Sequence, residues 1–98
     1  MISEFNVDQL NKAAAMLKAI SHPLRIAILN QLEAGKQLTV TEIHEALNIE
    51  QSTASHHLGI LRDKDVLIAR RDGKNTFYSL KHQRINTLIE CINKCACD

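Results

Sequence analysis

Apolar residues recur at helical spacing near the start of the chain. Val7, Leu10, Ala14, Leu17 and Ile20 fall on one side of a 3.6-residue wheel and predict a helix over 7–20. Ser21 offers a hydroxyl cap for a second helix, with Pro23 in its first turn, where a missing N–H costs nothing. Leu24, Ile28, Leu29 and Leu32 supply its apolar stripe, and Gly35 is expected to stop it. Thr39-Val40-Thr41-Glu42 fits a capping box, in which a hydroxyl and a carboxylate each take one free N–H at a helix start. A short third helix then runs through Leu47. Asn48 follows at a point where the chain must turn, and Asn tolerates a left-handed backbone better than other non-glycine residues.

A fourth helix is predicted from about Gln51 to Lys64. Ala54, Leu58 and Leu61 share one face, while Ser52, Ser55, His56 and Gly59 fall on the other, which is small and polar. The period then changes. Val66–Arg71 and Thr76–Leu80 read as strands, and Asp72-Gly73 between them is a hairpin signal. The tip of this hairpin carries Arg70, Arg71, Asp72, Gly73, Lys74 and Asn75. A last helix, over about 82–95, has Ile85, Leu88, Ile89 and Ile92 as its stripe. The expected architecture is α+β: five helices and a two-stranded wing in one domain spanning 1–98, a winged helix-turn-helix.

Composition sharpens this picture. The chain has 98 residues, enough for one domain and a limited core. Its only aromatics are Phe5, Phe77 and Tyr78, so the core must rest on Leu, Ile and Ala. No apolar run approaches the roughly 20 residues of a membrane span. The start, Met1-Ile2-Ser3-Glu4, lacks the basic and apolar regions of a signal peptide, so a cytoplasmic protein is expected. In that compartment Cys91, Cys95 and Cys97 are not a disulfide framework.

The net charge of +1 conceals an asymmetry. Residues 1–50 hold four Lys/Arg against six Asp/Glu, residues 51–84 hold seven against three, and residues 85–98 hold one against two. The basic segment is the fourth helix and the wing, the footprint expected of a phosphate-binding surface. A helix that keeps its apolar face on the domain and turns hydroxyls and imidazole outward can enter a major groove about 12 Å wide. No nucleophile–base pair, paired carboxylates or glycine-rich phosphate loop suggests an enzyme.

The segments LKAISHPLRIAILNQLEAG (17–35), LTVTEIHEALNIEQSTASHHLGILRDKDVL (38–67) and ARRDGKNTFYSL (69–80) resemble the ArsR/SmtB family of bacterial repressors. The resemblance implies a homodimer joined through its first and last helices. Each protomer would offer one recognition helix to an imperfect palindrome in an operator, and an inducer would release the DNA. Carried over by position, Gln51, Ser52, Ser55 and His56 would read bases or position the helix. Thr53 and Arg62 would contact phosphates, and Arg71, Lys74 and Asn75 would act from the wing. His57 is expected to be a packed, hydrogen-bonded residue. Arg25 is open between a phosphate contact and an intrachain ion pair. Two positions depart from the family's pattern. Glu50 stands where a capping Ser is frequent: a carboxylate can still cap, but it faces phosphates poorly. Gly59 stands where Lys is frequent and costs the helix about 1 kcal/mol against Ala. Both point to modest affinity with a shallow salt dependence.

The family's metal sites can be compared with this chain. The start of the third helix has Leu38-Thr39-Val40-Thr41-Glu42 and no cysteine pair. The last-helix site would fall on His82, Arg84, Cys95 and Asp98. Arg84 cannot bind a cation, so a four-ligand zinc site is not expected, although His82, Cys95 and Asp98 remain available as ligands. Cys91, Cys95 and Cys97 leave three roles open. They suit a thiophilic metal or metalloid ion, oxidation or persulfidation, or packing as small apolar residues at a dimer seam. Cys97 lies off the Cys91–Cys95 face and would join them only if the last turn frayed. The alternative to an induced repressor is a repressor without an inducer, or a dimeric winged-helix module that binds protein.

Overall fold

The computed structural model describes residues 6–97. The Met1–Glu4 start, Phe5 and the candidate ligand Asp98 lie outside the described residues. The elements run α1 (Val7–Ile20), α2 (Pro23–Gln31), a 3₁₀ turn (Glu33–Gly35), β1 (Leu38–Thr39), α3 (Val40–Leu47), α4 (Gln51–Asp63), β2 (Leu67–Asp72), β3 (Asn75–Leu80) and α5 (Gln83–Cys97). This is a winged helix-turn-helix.

The helix starts follow local chemistry. Asn6 caps α1 through its side chain, which accepts from Gln9 N at 2.7 Å. The cap of α2 is not Ser21, as the sequence suggested, but His22, whose Nδ1 accepts from Leu24 N at 3.1 Å. Ser21 instead closes α1, its N–H bonding the Leu17 carbonyl at 3.0 Å. The chain turns one residue later than a hydroxyl cap requires. At α3 both halves of the capping box form: Glu42 N donates to Thr39 Oγ1 (3.2 Å) and Thr39 N to Glu42 Oε1 (2.9 Å).

The helix ends also correct the sequence reading. Gly35 does not end α2, which stops at Gln31. A 3₁₀ turn follows, with Ala34 and Gly35 both at positive φ (61° and 76°). The last helix runs to Cys97 rather than to about 95. After α4, Asp65 adopts φ 64°, with Asp65 N bonding the Arg62 carbonyl (3.1 Å) and Val66 N the Leu61 carbonyl (2.9 Å). This is a Schellman closure with Asp where Gly is usual. Lys81 (3.1 Å) and Lys12 (3.7 Å) pair with that carboxylate, and the Lys81 contact chiefly holds its pKa below the ordinary carboxylate value.

Among the described residues the two-stranded wing, β2 and β3, is joined by a third strand in the order β1-β3-β2, all antiparallel. Leu38 and Thr39 pair with Tyr78 and Phe77, a contact across about 40 residues that no local pattern announces. The hairpin turn is centred one residue beyond Asp72-Gly73. Asp72 pairs with Asn75, leaving Gly73 and Lys74 as the two loop residues. Gly73 sits at φ 64°, the positive φ a two-residue hairpin needs at its first central position.

The core is aliphatic. Ile28, Leu29, Leu32, Ile43, Leu58, Leu61, Val66 and Leu67 are essentially fully buried, with Leu80, Ile85 and Ile89 beside them. Each such side chain stabilises the fold by about 1.5–3 kcal/mol. This cluster joins α2, α3, α4, the root of the wing and α5, so the recognition elements stand on one rigid base. By contrast, Val7, Leu10 and Leu17 on α1 are 69%, 54% and 53% exposed, and Ile92 on α5 is 38% exposed. No helix of the described residues is long and apolar enough to cross a membrane.

Candidate nucleic-acid interface

The turn between α3 and α4 sets the angle at which α4 leaves the domain. Asn48 takes φ 55°, ψ 48°. Asn48 N bonds the Glu45 carbonyl at 3.2 Å, and Ile49 N bonds the His44 carbonyl at 3.0 Å. The His44 Nδ1 lies 3.1 Å from the Ile49 carbonyl, which can only accept. The backbone and one imidazole therefore close the turn together.

Helix α4 is sorted by burial as its pattern required. Ala54, Leu58 and Leu61 are buried. Gln51, Ser52, Ser55 and His56 are exposed, and Arg62 continues the side of Ser55 about two turns further on. Thr53 is half-buried. No side chain caps the N-terminus of α4: Glu50 has extended φ/ψ (−71°, 148°) but makes no cap bond, contrary to the expectation that its carboxylate could do so. The first N–H groups of the helix therefore point free, with the positive end of the helix dipole behind them, a suitable receptor for a phosphate.

The wing is divided between bracing and display. Arg70 is held inside the chain: its Nη2 donates to Gln37 Oε1 at 2.8 Å, its Nη1 lies 3.9 Å from Asp72, and its guanidinium covers the Phe77 ring. Arg71 donates from Nε to the Gly73 carbonyl at 3.3 Å. Lys74 and Asn75 stand exposed at the tip, Lys74 in the loop and Asn75 at the start of β3. Arg62 faces Asp63 at 3.7 Å, an exposed pair worth little and readily exchanged for a phosphate.

Behind the recognition helix lies a link the sequence reading did not foresee. Arg25, open there between a phosphate and an ion pair, makes no ion pair among the described residues. Its Nε donates to His57 Nδ1 (3.0 Å) and its Nη1 to the Ala19 carbonyl (3.0 Å). His57 is only 8% exposed, packed and hydrogen-bonded as expected. Burial first, then the charges of Arg25, His22 and His56, lowers its pKa below 6.5. The signal was present in the i, i+3, i+4 spacing of Ala54, His57 and Leu58, which places His57 on the inward side. The identity of its partner was not legible.

Comparison with known proteins now decides the kinship. Residues 20–70 match the model of a helix-turn-helix domain family. The transcriptional repressor PagR of Bacillus anthracis is 38% identical over 84 residues, covering 86% of this chain and 84% of that one. A homodimeric winged helix-turn-helix DNA-binding domain from Mycobacterium bovis, a possible ArsR-family transcriptional regulator, superimposes with a TM-score of 0.83 at 26% identity. That match covers 95% of this chain and 85% of that one. The chain belongs to the ArsR/SmtB family. HlyU from Vibrio cholerae has the same fold, with a TM-score of 0.82 at 29% identity over 95% of this chain and all of that one. As an ArsR/SmtB member, the chain is a DNA-binding transcriptional regulator and not an enzyme.

The last-helix metal site implied by the resemblance is interfacial, and one copy of the chain does not complete it. His82 precedes α5 and Cys95 lies near its end, about 20 Å apart along the axis at 1.5 Å per residue. Arg84 occupies a ligand position, and among the described residues no three His, Cys, Asp or Glu converge to hold an ion. Cys91, Cys95 and Cys97 are all free thiols and exposed. Cys91 and Cys95 are one helical turn apart, and Cys97 lies on a different side of the intact final turn.

Proposed function

We propose that the protein is a homodimeric repressor that grips an operator with one α4 from each copy. The observation that carries this reading is α4 itself: an uncapped N-terminus with Gln51, Ser52, Ser55 and His56 exposed, on a helix whose other face is sealed into the core. Gln51, Ser52, Ser55 and His56 meet base edges or set the helix in the groove. Thr53 and Arg62 take phosphates, and Arg71, Lys74 and Asn75 reach the backbone or the adjacent minor groove from the wing. Val7, Leu10 and Leu17 on α1, together with Ile92 on α5, form the seam between copies. Such exposed apolar residues on two helices are costly in a lone monomer.

Cys91 and Cys95 are exposed thiols within reach of one soft ion or one oxidant on a helix that also belongs to the seam. Binding or modification there would change how the two copies sit, and with them the spacing of the two recognition helices.

A gel-shift titration against the duplex upstream of the protein's own gene tests the first part. The protein should bind as a dimer, more weakly as salt rises, and Ser55→Glu and His56→Glu should abolish binding while leaving the fold intact. Retained binding in both variants would overturn the assignment of the contact to α4, and absence of binding by the parent protein at low salt would favour a protein-interaction module. Titration with As(III), Cd²⁺, Zn²⁺, Cu⁺, peroxide and polysulfide, beside a triple Cys→Ser variant, tests the second. A release lost in that variant places the sensor in the tail. No release by any of them leaves the cysteines as packing residues.

A further inference from the structure

We infer that Arg25 and the neutral imidazole of His57 form a positioning relay that holds the recognition helix at its working angle. This rests on the operator-binding reading above. Arg25 sits in the first turn of α2, and its two bonds run to different elements: Nη1 to the Ala19 carbonyl near the end of α1, and Nε to His57 in the middle of α4. One planar guanidinium thus ties α1, α2 and α4 at fixed angles.

The bond dictates the state of the ring. Arg25 can only donate, so His57 Nδ1 must accept, and the remaining ring proton sits on Nε2. A second proton would occupy Nδ1 and abolish the bond, leaving two cations face to face. Every charged or titratable group facing this ring adds to that penalty. His22, just before α2, lies tilted against it with 4.8 Å between centroids, and His56, next in sequence on α4, meets it edge-on at 5.3 Å. Arg25 is the third. The lowered pKa of His57 is the expected consequence of such an arrangement.

His56 is exposed on the face offered to DNA, while His57, beside it, is buried against α2. A rotation of α4 that frees His57 from Arg25 therefore moves His56 and Ser55 with it. The relay neither reads bases nor touches phosphate; it acts through the helix it holds.

Protonating His57 breaks the relay and weakens binding. His56 lies beside it on the face offered to DNA and has to be removed from the comparison. The experiment therefore uses a His56→Gln background and compares operator affinity at about pH 8 and about pH 5.5, on either side of the ordinary imidazole range. In that background, affinity should fall at acid pH. His57→Asn, whose amide oxygen accepts from Arg25 at any pH, should keep most of the affinity at about pH 8 and lose the acid-induced fall. His57→Leu and Arg25→Lys should each bind about tenfold more weakly than the parent at about pH 8, since a hydrogen bond to a charged group is lost, and that gap should narrow at about pH 5.5. Circular dichroism and melting curves establish that each variant is folded.

A second readout needs no DNA. The ¹⁵N shifts of the free protein should show His57 as the Nε2–H tautomer, titrating below 6.5, with the α4 amides shifting in step. An Nδ1–H tautomer, or an acid-induced fall that survives in His57→Asn, overturns the inference. Failure of the parent protein to bind any duplex would count against operator binding, while the tautomer and the α4 shifts would still decide the relay.

Discussion

Replacing Glu50 by Ser tests the reading that the recognition helix starts without a cap. Glu50 stands at the N-cap with extended backbone, and its carboxylate bonds no N–H of α4. Serine at such a position accepts from the N2 or N3 amide and stabilises by about 1 kcal/mol relative to an uncapped residue. Against this, the exposed carboxylate favours the positive end of the helix dipole by about 0.3–1 kcal/mol, which either neutral residue forfeits. Glu50→Gln loses the charge and gains no short cap, so it should be slightly less stable than the parent. Glu50→Ser should be equal or slightly more stable. The difference between the two variants isolates the cap at about 1 kcal/mol, or about 4–8 °C in melting temperature for a domain of this size. Affinity should behave differently. Both variants remove a negative charge beside the expected phosphates, so both should bind the operator more tightly at low salt, and the advantage should shrink as salt rises. Melting curves at fixed protein concentration and gel shifts at two salt concentrations measure both effects. If Ser and Gln melt at the same temperature, the uncapped terminus costs nothing and the local argument is wrong. If neither tightens binding, Glu50 does not face the DNA backbone.

Asn48→Ala forces a residue with a Cβ into φ 55° and should destabilise by about 1–2 kcal/mol in urea unfolding, whereas Asn48→Gly should be nearly neutral. Leu10→Glu with Leu17→Glu places charge on the exposed face of α1, and should yield a folded monomer with poor operator binding by light scattering and gel shift. Burial and its cationic neighbours lower the pKa of His57, so the unfolded chain binds more protons as pH falls below 6.5. The corresponding stability is fully present above 6.5 and is lost as pH falls toward the folded value. Melting temperatures followed downward from about pH 8 should show this decline, and it should be smaller in His57→Asn.

The sequence by itself determined the helices, because period, caps and breakers act within a few residues. Amphipathic spacing placed α1 and α4 closely, Thr39 and Glu42 fixed the start of α3, and Asn48 marked the turn before α4. It also separated the exposed from the buried face of α4, since that partition follows from the wheel. Features that depend on distant residues came only with the tertiary structure. The strand Leu38–Thr39 is too short to show a period and exists because β3 supplies its partners. The α2 cap passed from Ser21 to His22 because packing set where the chain bends. Arg25 found His57, and Arg70 found Gln37 and Phe77, because folding brought together residues 32, 33 and 7 positions apart. Local periodicity carries one coordinate, the direction a side chain leaves its own element. The identity of what it meets is a property of how the elements pack, and that is where the geometry behind the recognition helix was decided.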